Sequence, residues 1–266
     1  MDIDILELSK DSAKFVLSGT NAAFANGIRR AMIADVPTLA IEYLILNDNT
    51  SVLYDEQLGL RLALVPLSTD SDSEYVPQSE CTCGGEGCQY CEVTLRLDVE
   101  GPKTVYSGDF ISADPKVRPA DEKVPIVDLK EGQRIMLEAV AHVGYGRDHV
   151  RWQAGIACGY KNNPIITGEA CKACGNQNFE TNGIVYLVDG EARVSDEDLL
   201  TCKECGFQKR VSDLDDPSAL KITFDETSFV FTMESDGSYS ASELILKSAD
   251  VIKGRAEEFL GILQDL

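Results

Sequence analysis

The sequence predicts an α+β chain, on three observations. Short segments with two-residue apolar alternation recur along it, helical patterns lie near its two ends, and its cysteines gather in clusters. Residues 2–8 and 13–17 read as strands: Ile3 and Ile5 alternate with Asp2 and Asp4, Phe15 and Leu17 point one way, and Ser9-Lys10-Asp11-Ser12 supplies a turn. A helix follows over 21–35. Thr20 or Asn21 can cap it, Phe24, Ile28 and Ala31 share a face, and Pro37 lies just beyond its end. Gly27 inside this helix costs about 1 kcal/mol relative to Ala. It stands there either by chance or to admit another backbone.

Residues 40–46 form a third strand, and 55–64 a short helix with Leu58 and Leu62 on one side. A Ser/Asp-rich loop over 68–73 leads to the first cysteine cluster, 81–91. Strands are expected at 93–99, 103–106, 125–127 and, after the turn Glu131-Gly132, 134–140. The stretch 161–217 changes character, with two CxxC pairs, few apolar runs and an acidic run at Asp196-Glu197-Asp198, and reads as a separate small module. Residues 221–224 and 229–233 read as a hairpin. The longest helix closes the chain over 241–266. Ala241, Ile245, Ser248, Ile252, Ala256 (with Arg255 as its rival), Phe259, Leu263 and Leu266 step by threes and fours into one seam, widened by Leu244 and Val251. Such a stripe needs a partner surface, either the first helix or another subunit.

The charge narrows the function classes. Lys+Arg number 24 against 45 Asp+Glu, a net −21, and a chain this acidic lacks the cations that neutralise phosphates. Solubility is the plain explanation of the excess. The N-terminal Met1-Asp2-Ile3-Asp4 has neither a basic nor an apolar signal region, and no run approaches a membrane span. The expected compartment is therefore the cytoplasm, where thiols stay reduced, and nine cysteines point to metal rather than disulfides. Cys81-x-Cys83-x4-Cys88-x2-Cys91, with Gly84, Gly85 and Gly87 as turn residues, suits a closed four-thiolate zinc site. Cys158 stands alone and reads as a small core residue. His142 and His149 have no Cys at ligand spacing and read as structural. Asp196-Glu197-Asp198 and the run from Asp213 to Asp216 read as solvated loops, not as a carboxylate site for two Mg²⁺ ions.

The segment Asn21-Ala-Ala-Phe-Ala-Asn-Gly-Ile-Arg-Arg-Ala-Met-Ile-Ala-Asp-Val-Pro37 resembles the first dimerisation helix of the alpha-like family of DNA-dependent RNA polymerase subunits. The likeness continues through Thr50-Ser-Val-Leu-Tyr-Asp-Glu56, Leu60-Arg-Leu-Ala-Leu-Val-Pro-Leu67, Val105-Tyr-Ser-Gly-Asp109, Val124-Pro-Ile-Val127 with Gly132-Gln133, Val150-Arg-Trp-Gln153 and Phe229-Val-Phe-Thr-Met-Glu-Ser-Asp-Gly-Ser-Tyr239. It covers nearly the whole chain and looks most like the archaeal D subunits, counterparts of the bacterial alpha N-terminal domain and of the third-largest eukaryotic subunit. The resemblance implies a dimerisation domain from 1–43 and 219–266, an inserted mixed β domain at 44–160 and a cysteine-rich, degenerate ferredoxin-like module at 161–218. It also implies a non-catalytic assembly platform of the nucleotidyltransferase. This platform pairs with the small alpha-like subunit L and then gathers small subunits N and P and the two large catalytic subunits. The interface residues so implied are Phe24, Ile28, Arg29, Arg30, Ala31, Ile245, Ile252, Phe259 and Leu263. For the paired arginines, contact with a large subunit competes with a merely solvated helix face.

The module departs from the family pattern of two C-x2-C-x2-C-x3-C runs. Cys171, Cys174, Cys202 and Cys205 are present, but Gln177, Thr181, Gln208 and Ser212 stand where the other ligands are expected. If the pairs converge they form one C-x2-C-x27-C-x2-C site with Gly175 and Gly206 as turn residues. Zinc is the expected ion, with an iron–sulfur cluster as the alternative, or an empty remnant. A stand-alone iron–sulfur electron-transfer protein is the rival function, and a zinc enzyme a third. The charge carries its own prediction. The chain paired with its small partner should fail to retain duplex DNA at physiological salt, and a salt-sensitive gel shift at micromolar protein would contradict this.

Overall fold

The computed structural model describes residues 1–68, 75–181, 185–188, 191–195, 197–214 and 220–264. Of the expected loop 68–73 only Ser68 is among them, and Asp196, Asp215, Asp216 and Leu266 lie outside them. Strands β1 (Asp2–Leu8) and β2 (Ser12–Ser18) are joined through Ser9, whose N–H donates to the Ser12 carbonyl at 2.8 Å. In β2 the expected alternation holds, with Ala13, Phe15 and Leu17 buried, whereas β1 is exposed throughout.

Helix α1 (Ala22–Arg30) starts where the cap predicts: Asn21 Oδ1 accepts from the Phe24 N–H at 2.9 Å. The expected helix does not run on as α-helix to Asp35. Ala31–Asp35 is a π-helical turn, closed by Val36 N–H to the Ala31 carbonyl at 3.2 Å. Its neighbours supply the reason. A Cβ at Gly146 would collide with the Ile33 carbonyl, and Arg147 N–H donates to the Ala34 carbonyl at 3.1 Å. The close backbone approach considered for Gly27 is thus found at Gly146, since a Cβ at Gly27 would meet nothing within 4 Å.

Strand β3 (Pro37–Asn49) is longer than the expected 40–46 and leads to α2 (Asp55–Ala63), which buries Leu58, Leu62 and Ala63. The short β4 (Leu67–Ser68) follows, then β5 (Glu92–Glu100), β6 (Lys103–Tyr106), β7 (Ile111–Ser112), β8 (Arg118–Pro119), β9 (Pro125–Leu129) and β10 (Arg134–Tyr145). An antiparallel sheet has the order β3-β10-β5-β7, with β10 paired along both sides. Its register sets Leu137 opposite Leu97 and Leu46. Period-2 alternation then puts Leu95, Leu97, Ile135 and Leu137 into one core with Leu58, Leu62 and Ile126. The other face is mixed, carrying Tyr43, Ile45 and Val140 beside charged residues, among which Arg134 grips both Asp98 oxygens at 2.8 and 3.0 Å.

After β11 (Gly155–Thr167) come β12 (Asn178–Thr181), β13 (Tyr186–Val188), β14 (Glu191–Arg193), β15 (Leu199–Cys202) and β16 (Gln208–Arg210). The expected hairpin at 221–233 is instead one strand, β17 (Lys221–Ser235), in a sheet of order β1-β2-β17-β11-β12-β15-β16. Residues 225–228, Asp-Glu-Thr-Ser, contain no Gly, Pro or Asn to reverse the chain. Neighbouring segments take up their backbone groups: Thr20 N–H, just after β2, donates to the Thr227 carbonyl at 3.1 Å, and Asn162 Nδ2 of β11 to that of Asp225 at 3.0 Å. Helix α3 (Ala241–Gln264) begins at a capping box, Glu243 accepting from the Ser240 N–H at 2.9 Å while Ser240 Oγ accepts from that of Glu243 at 3.3 Å.

The chain divides into two compact units. The smaller comprises residues 1–4, 16–25 and 160–231, and the larger 5–15, 26–159 and 232–266. The Cys171–Cys205 region of the smaller unit has a modest core of Ile166, Cys171, Phe179, Val194, Leu200, Cys202 and Val211. No helix among the described residues is long and apolar enough to cross a membrane. The two glycines give opposite expectations. Gly146→Ala should destabilise the chain by about 1–3 kcal/mol through its clash with the π-turn. Gly27→Ala should stabilise it by up to about 1 kcal/mol, both read as shifts in the thermal midpoint.

Candidate metal centres and partner surface

Each cysteine cluster brings four sulfurs to one point. In the loop before β5, Cys81 and Cys88 Sγ lie 3.5 Å apart, Cys83 and Cys91 3.7 Å, and Cys88 and Cys91 3.8 Å. All four sulfurs fall within 4.8 Å of one another. A disulfide would bring sulfurs to about 2.05 Å. Four thiolates held tetrahedrally at about 2.3 Å from one ion stand about 3.8 Å apart, and the observed spacing matches that arrangement. Gly84, Gly85 and Gly87 turn the loop with φ of +69°, +91° and +88°. The Gly85 backbone N–H pulls the Cys83 thiol down to about 6, and burial pushes the Cys91 thiol up to about 12. A bound cation would favour the thiolate at both.

The second set converges across a longer stretch of chain. Cys171 and Cys205 Sγ are 3.6 Å apart, Cys174 and Cys202 3.5 Å, and these four too lie within 4.8 Å. The two knuckles share one geometry. Gly175 N–H donates to the Cys171 carbonyl at 2.8 Å and Gly206 N–H to the Cys202 carbonyl at 2.9 Å, with φ of +78° and +69° at the glycines. The loop closes as Cys171 N–H donates to the Asn176 carbonyl at 2.8 Å and Cys202 N–H to that of Phe207 at 2.9 Å. Backbone N–H groups aimed at the sulfurs lower Cys171, chiefly from Ala173, and Cys202 to about 7, chiefly from Cys205. Strand pairing fixes the second knuckle, since Cys202 sits opposite Phe179 in the β12–β15 ladder. Either cluster can hold a metal ion. Gln177, Thr181, Gln208 and Ser212 are not needed to complete four sulfurs.

Cys158 is half-buried in β11, and burial pushes its thiol up to about 11. Neither histidine joins a sulfur set. His149 Nδ1 accepts from the Arg151 N–H at 3.1 Å, capping a short turn. His142 is buried between two carboxylates, with Nδ1 2.8 Å from Glu42 Oε2 and Nε2 3.3 Å from Glu92 Oε2. Glu92 directly follows Cys91 and covers Gly87, so His142 of β10 fastens the trailing end of the cysteine loop. The Trp152 indole N–H donates to the His142 carbonyl at 3.0 Å, and Gly144 leaves room for its ring. The Arg151 guanidinium donates to the carbonyls of Ile41 and Glu42 at 3.1 and 2.9 Å. The Arg-Trp-Gln motif thus clamps β3 to β10. This web was missed in the sequence because no spacing rule links residues 42, 92 and 142.

The terminal helix is held at one end and open at the other. Ala241, Leu244 and Ser248 are buried, Ile245, Val251 and Ile252 half-buried, and residues 253–264 all exposed. Phe259 is 61% exposed and Leu263 49%, so the described residues of this chain do not cover the stripe's last turns. Asp35 of the π-turn takes Arg255 in two contacts, 2.7 and 2.9 Å. It is therefore Arg255, not Ala256, that the seam turns toward the fold. Ala31, the first residue of the π-turn, is buried, while on α1 Ile28 is half-buried and Phe24 is 37% exposed. Arg29 bonds Asn26 Oδ1 through two nitrogens at 3.1 Å each, and Arg30 is exposed.

This fold and this insert define an alpha-like polymerase subunit: the family model of the RNA polymerase Rpb3/RpoA insert domain matches residues 45–156. The chain is 61% identical to DNA-directed RNA polymerase subunit Rpo3 of Methanosarcina acetivorans, over 100% of this chain and 99% of that protein. It is 40% identical to the Rpo3 subunits of Archaeoglobus fulgidus (100% of this chain, 98% of that protein) and Halobacterium salinarum (97% and 95%). The chain belongs to the Rpo3 family of DNA-directed RNA polymerase subunits. The two sulfur sets are separate, so Cys88→Ser and Cys202→Ser should each remove about one equivalent of bound metal without disturbing the other. Elemental analysis of the variants checks this, and loss of both equivalents from one substitution would contradict it.

Proposed function

We propose that this chain is a non-catalytic assembly platform of a cytoplasmic DNA-directed RNA polymerase. It pairs with a small alpha-like subunit, the L type, and then receives small subunits N and P and the two large catalytic subunits. The observation that carries this reading is the exposed apolar end of α3, where Phe259, Leu260, Ile262 and Leu263 stand between 49% and 61% exposed. A soluble chain rarely leaves such a run uncovered without a partner. The dimerising part would be 1–43 with 219–266, the insert 44–160 and the metal module 161–218. Phe24, Ile28 and Ala31 with Ile245, Ile252, Phe259 and Leu263 would form or border the pairing surface. Arg29 and Arg30 would face a large subunit, a role that the exposure of Arg30 favours.

Both sulfur sets are read as zinc sites with a structural role. Sulfur separations of 3.5–3.8 Å suit a single ion. A four-iron cubane would place each thiolate on a different iron and spread them further. The sulfur spacing thereby also weakens the electron-transfer alternative. The module's small core, with two cysteines among its seven buried residues, supports a dependence of folding on metal.

Two experiments test the reading. Co-expression with the small partner should give a soluble 1:1 heterodimer, whereas the chain alone should self-associate. Phe259→Asp should weaken pairing by several kcal/mol, because a carboxylate would be buried without a counter-charge. A monomeric, soluble chain and a variant that pairs normally would refute the platform. Anaerobically purified protein should be colourless and carry about two zinc ions per chain. A brown sample rich in iron would refute zinc at 171–205.

A further inference from the structure

The stripe of α3 carries a charge in its middle. Ile252, Arg255, Phe259 and Leu263 follow one another by threes and fours, so the guanidinium stands on the same side of the helix as the exposed apolar residues beyond it. Its partner is Asp35, which lies in the π-turn and whose side chain is only 13% exposed. Arg255 meets both carboxylate oxygens, Nη2 on Oδ1 at 2.7 Å and Nη1 on Oδ2 at 2.9 Å. In such a two-pronged pair the guanidinium fixes direction as well as distance. Asp35 has little freedom of its own. The π-turn is held by the Arg147 N–H on the Ala34 carbonyl, and Arg147 Nη1 comes back to Asp35 Oδ1 at 3.4 Å, its guanidinium lying 4.4 Å over the Tyr145 ring. Among the described residues, it is the Asp35–Arg255 pair that ties 253–264 to the rest of the larger unit, since the Lys253–Glu257 pair at 3.9 Å runs along the helix itself.

We propose that Asp35 is a positioning residue for subunit pairing, which sets the direction of the exposed half of α3 by gripping Arg255. The inference rests on the proposed pairing through α3. Residues 253–264 extend about 18 Å, at about 1.5 Å each. All of them are exposed, so the helix has no buried face there to hold its direction. A swing of about 20° would carry its end about 6 Å, further than the roughly 4 Å at which apolar side chains touch. The grip falls one turn beyond Ile252, the last half-buried residue, and so carries the support one turn further out. With it, Phe259 and Leu263 are offered to a partner in one direction, on the side of the helix that faces the π-turn. Without it the partner must itself impose that direction, and its apparent affinity falls with the fraction of chains that hold it.

Hydrogen exchange read by mass spectrometry on peptides covering 245–264 tests the grip, in the full chain and at matched oligomeric state. The rate and affinity of association with the small alpha-like subunit test what the grip is for. Asp35→Asn and Arg255→Gln should each raise exchange over 253–264 several-fold and weaken pairing several-fold, with the loss falling on the association rate. The double variant should go no further than either single one, because both cut the same tie. Lys253→Gln, which removes a neighbouring charge paired within the helix, should change neither. Should Asp35→Asn fail to fold, Arg255→Gln, on a half-exposed side chain, carries the same test. Unchanged exchange in Arg255→Gln, additive effects in the double variant, or equal loosening by Lys253→Gln would overturn the grip. Faster exchange with pairing unaltered would overturn its role in pairing. A wild-type chain that does not pair would sink the proposed function and this role with it, and is told apart because wild type and variants then fail alike.

Discussion

The meeting of Gly146 with the Ile33 carbonyl anchors the turn after β10 to the π-turn, and the contacts of Arg147 and Asp35 follow from it. A π-turn widens the helix and tilts its carbonyls off the α-helical ladder, which offers Ile33 and Ala34 as acceptors to a neighbouring chain segment. The turn after β10 takes that offer, with Gly146 against one carbonyl and the Arg147 N–H on the next. Once the backbone is fixed there, the Arg147 side chain reaches Asp35, and Asp35 is left facing Arg255. The hydrogen bond from Arg255 holds the Asp35 carboxyl below its ordinary range. Its contribution to stability is therefore present above the unfolded value near 3.8 and is lost as pH falls through the lower folded one. Both arginines are about half exposed, so solvent screens the pairs and geometry matters more here than raw Coulomb energy.

The two sulfur sets solve one chemical problem at different ranges. The first gathers its ligands from a single loop and needs only glycines able to take positive φ. The second joins knuckles separated by a run of strands, and closing that longer loop costs entropy that a few buried side chains cannot offset. Strand pairing does part of the work: the Phe179–Cys202 register and the Lys203 N–H to the Asn178 carbonyl at 3.1 Å set the second knuckle beside the first. A bound ion would supply the remainder. The loop and the module therefore differ in what they risk without metal. The loop would lose its shape, and the module its fold.

Much of this was legible in the sequence wherever the cause was local. The caps at Asn21 and Ser240, the alternation in β2, β5 and β10, the buried side of α2 and the knuckle glycines all rest on residues a few positions apart. The cysteine sets were readable because four thiols at such spacings have few uses other than holding a metal ion. What failed was set at long range. The hairpin expected over 221–233 also passed over a local sign, since residues 225–228 offer no Gly, Pro or Asn, and the strands flanking β17 pair with it as one continuous strand. The change from α- to π-helix after Arg30 answers to Gly146, more than a hundred positions later. Arg255 was visible as a break in an apolar seam, but its partner Asp35 was not.

The acidic charge and the uncovered end of α3 belong to one physical picture. An apolar helix face favours any matching surface, including that of a second copy, so attraction alone gives poor discrimination. Two copies of a chain carrying −21 bring like charge together on contact, whereas a less acidic partner does not. Around Phe259 the local charges are Lys253, Arg255, Glu257 and Glu258, two of each sign, with Lys253 3.9 Å from Glu257 and Arg255 paired with Asp35. The discrimination would therefore come from the field of the whole chain, which is long-ranged and weakened by salt, while the affinity comes from the stripe, which is short-ranged and insensitive to salt. Under the proposed function this division suits a platform. The helix supplies the strength of the pairing, and the charge makes self-pairing the weaker alternative, taken only when the correct partner is missing.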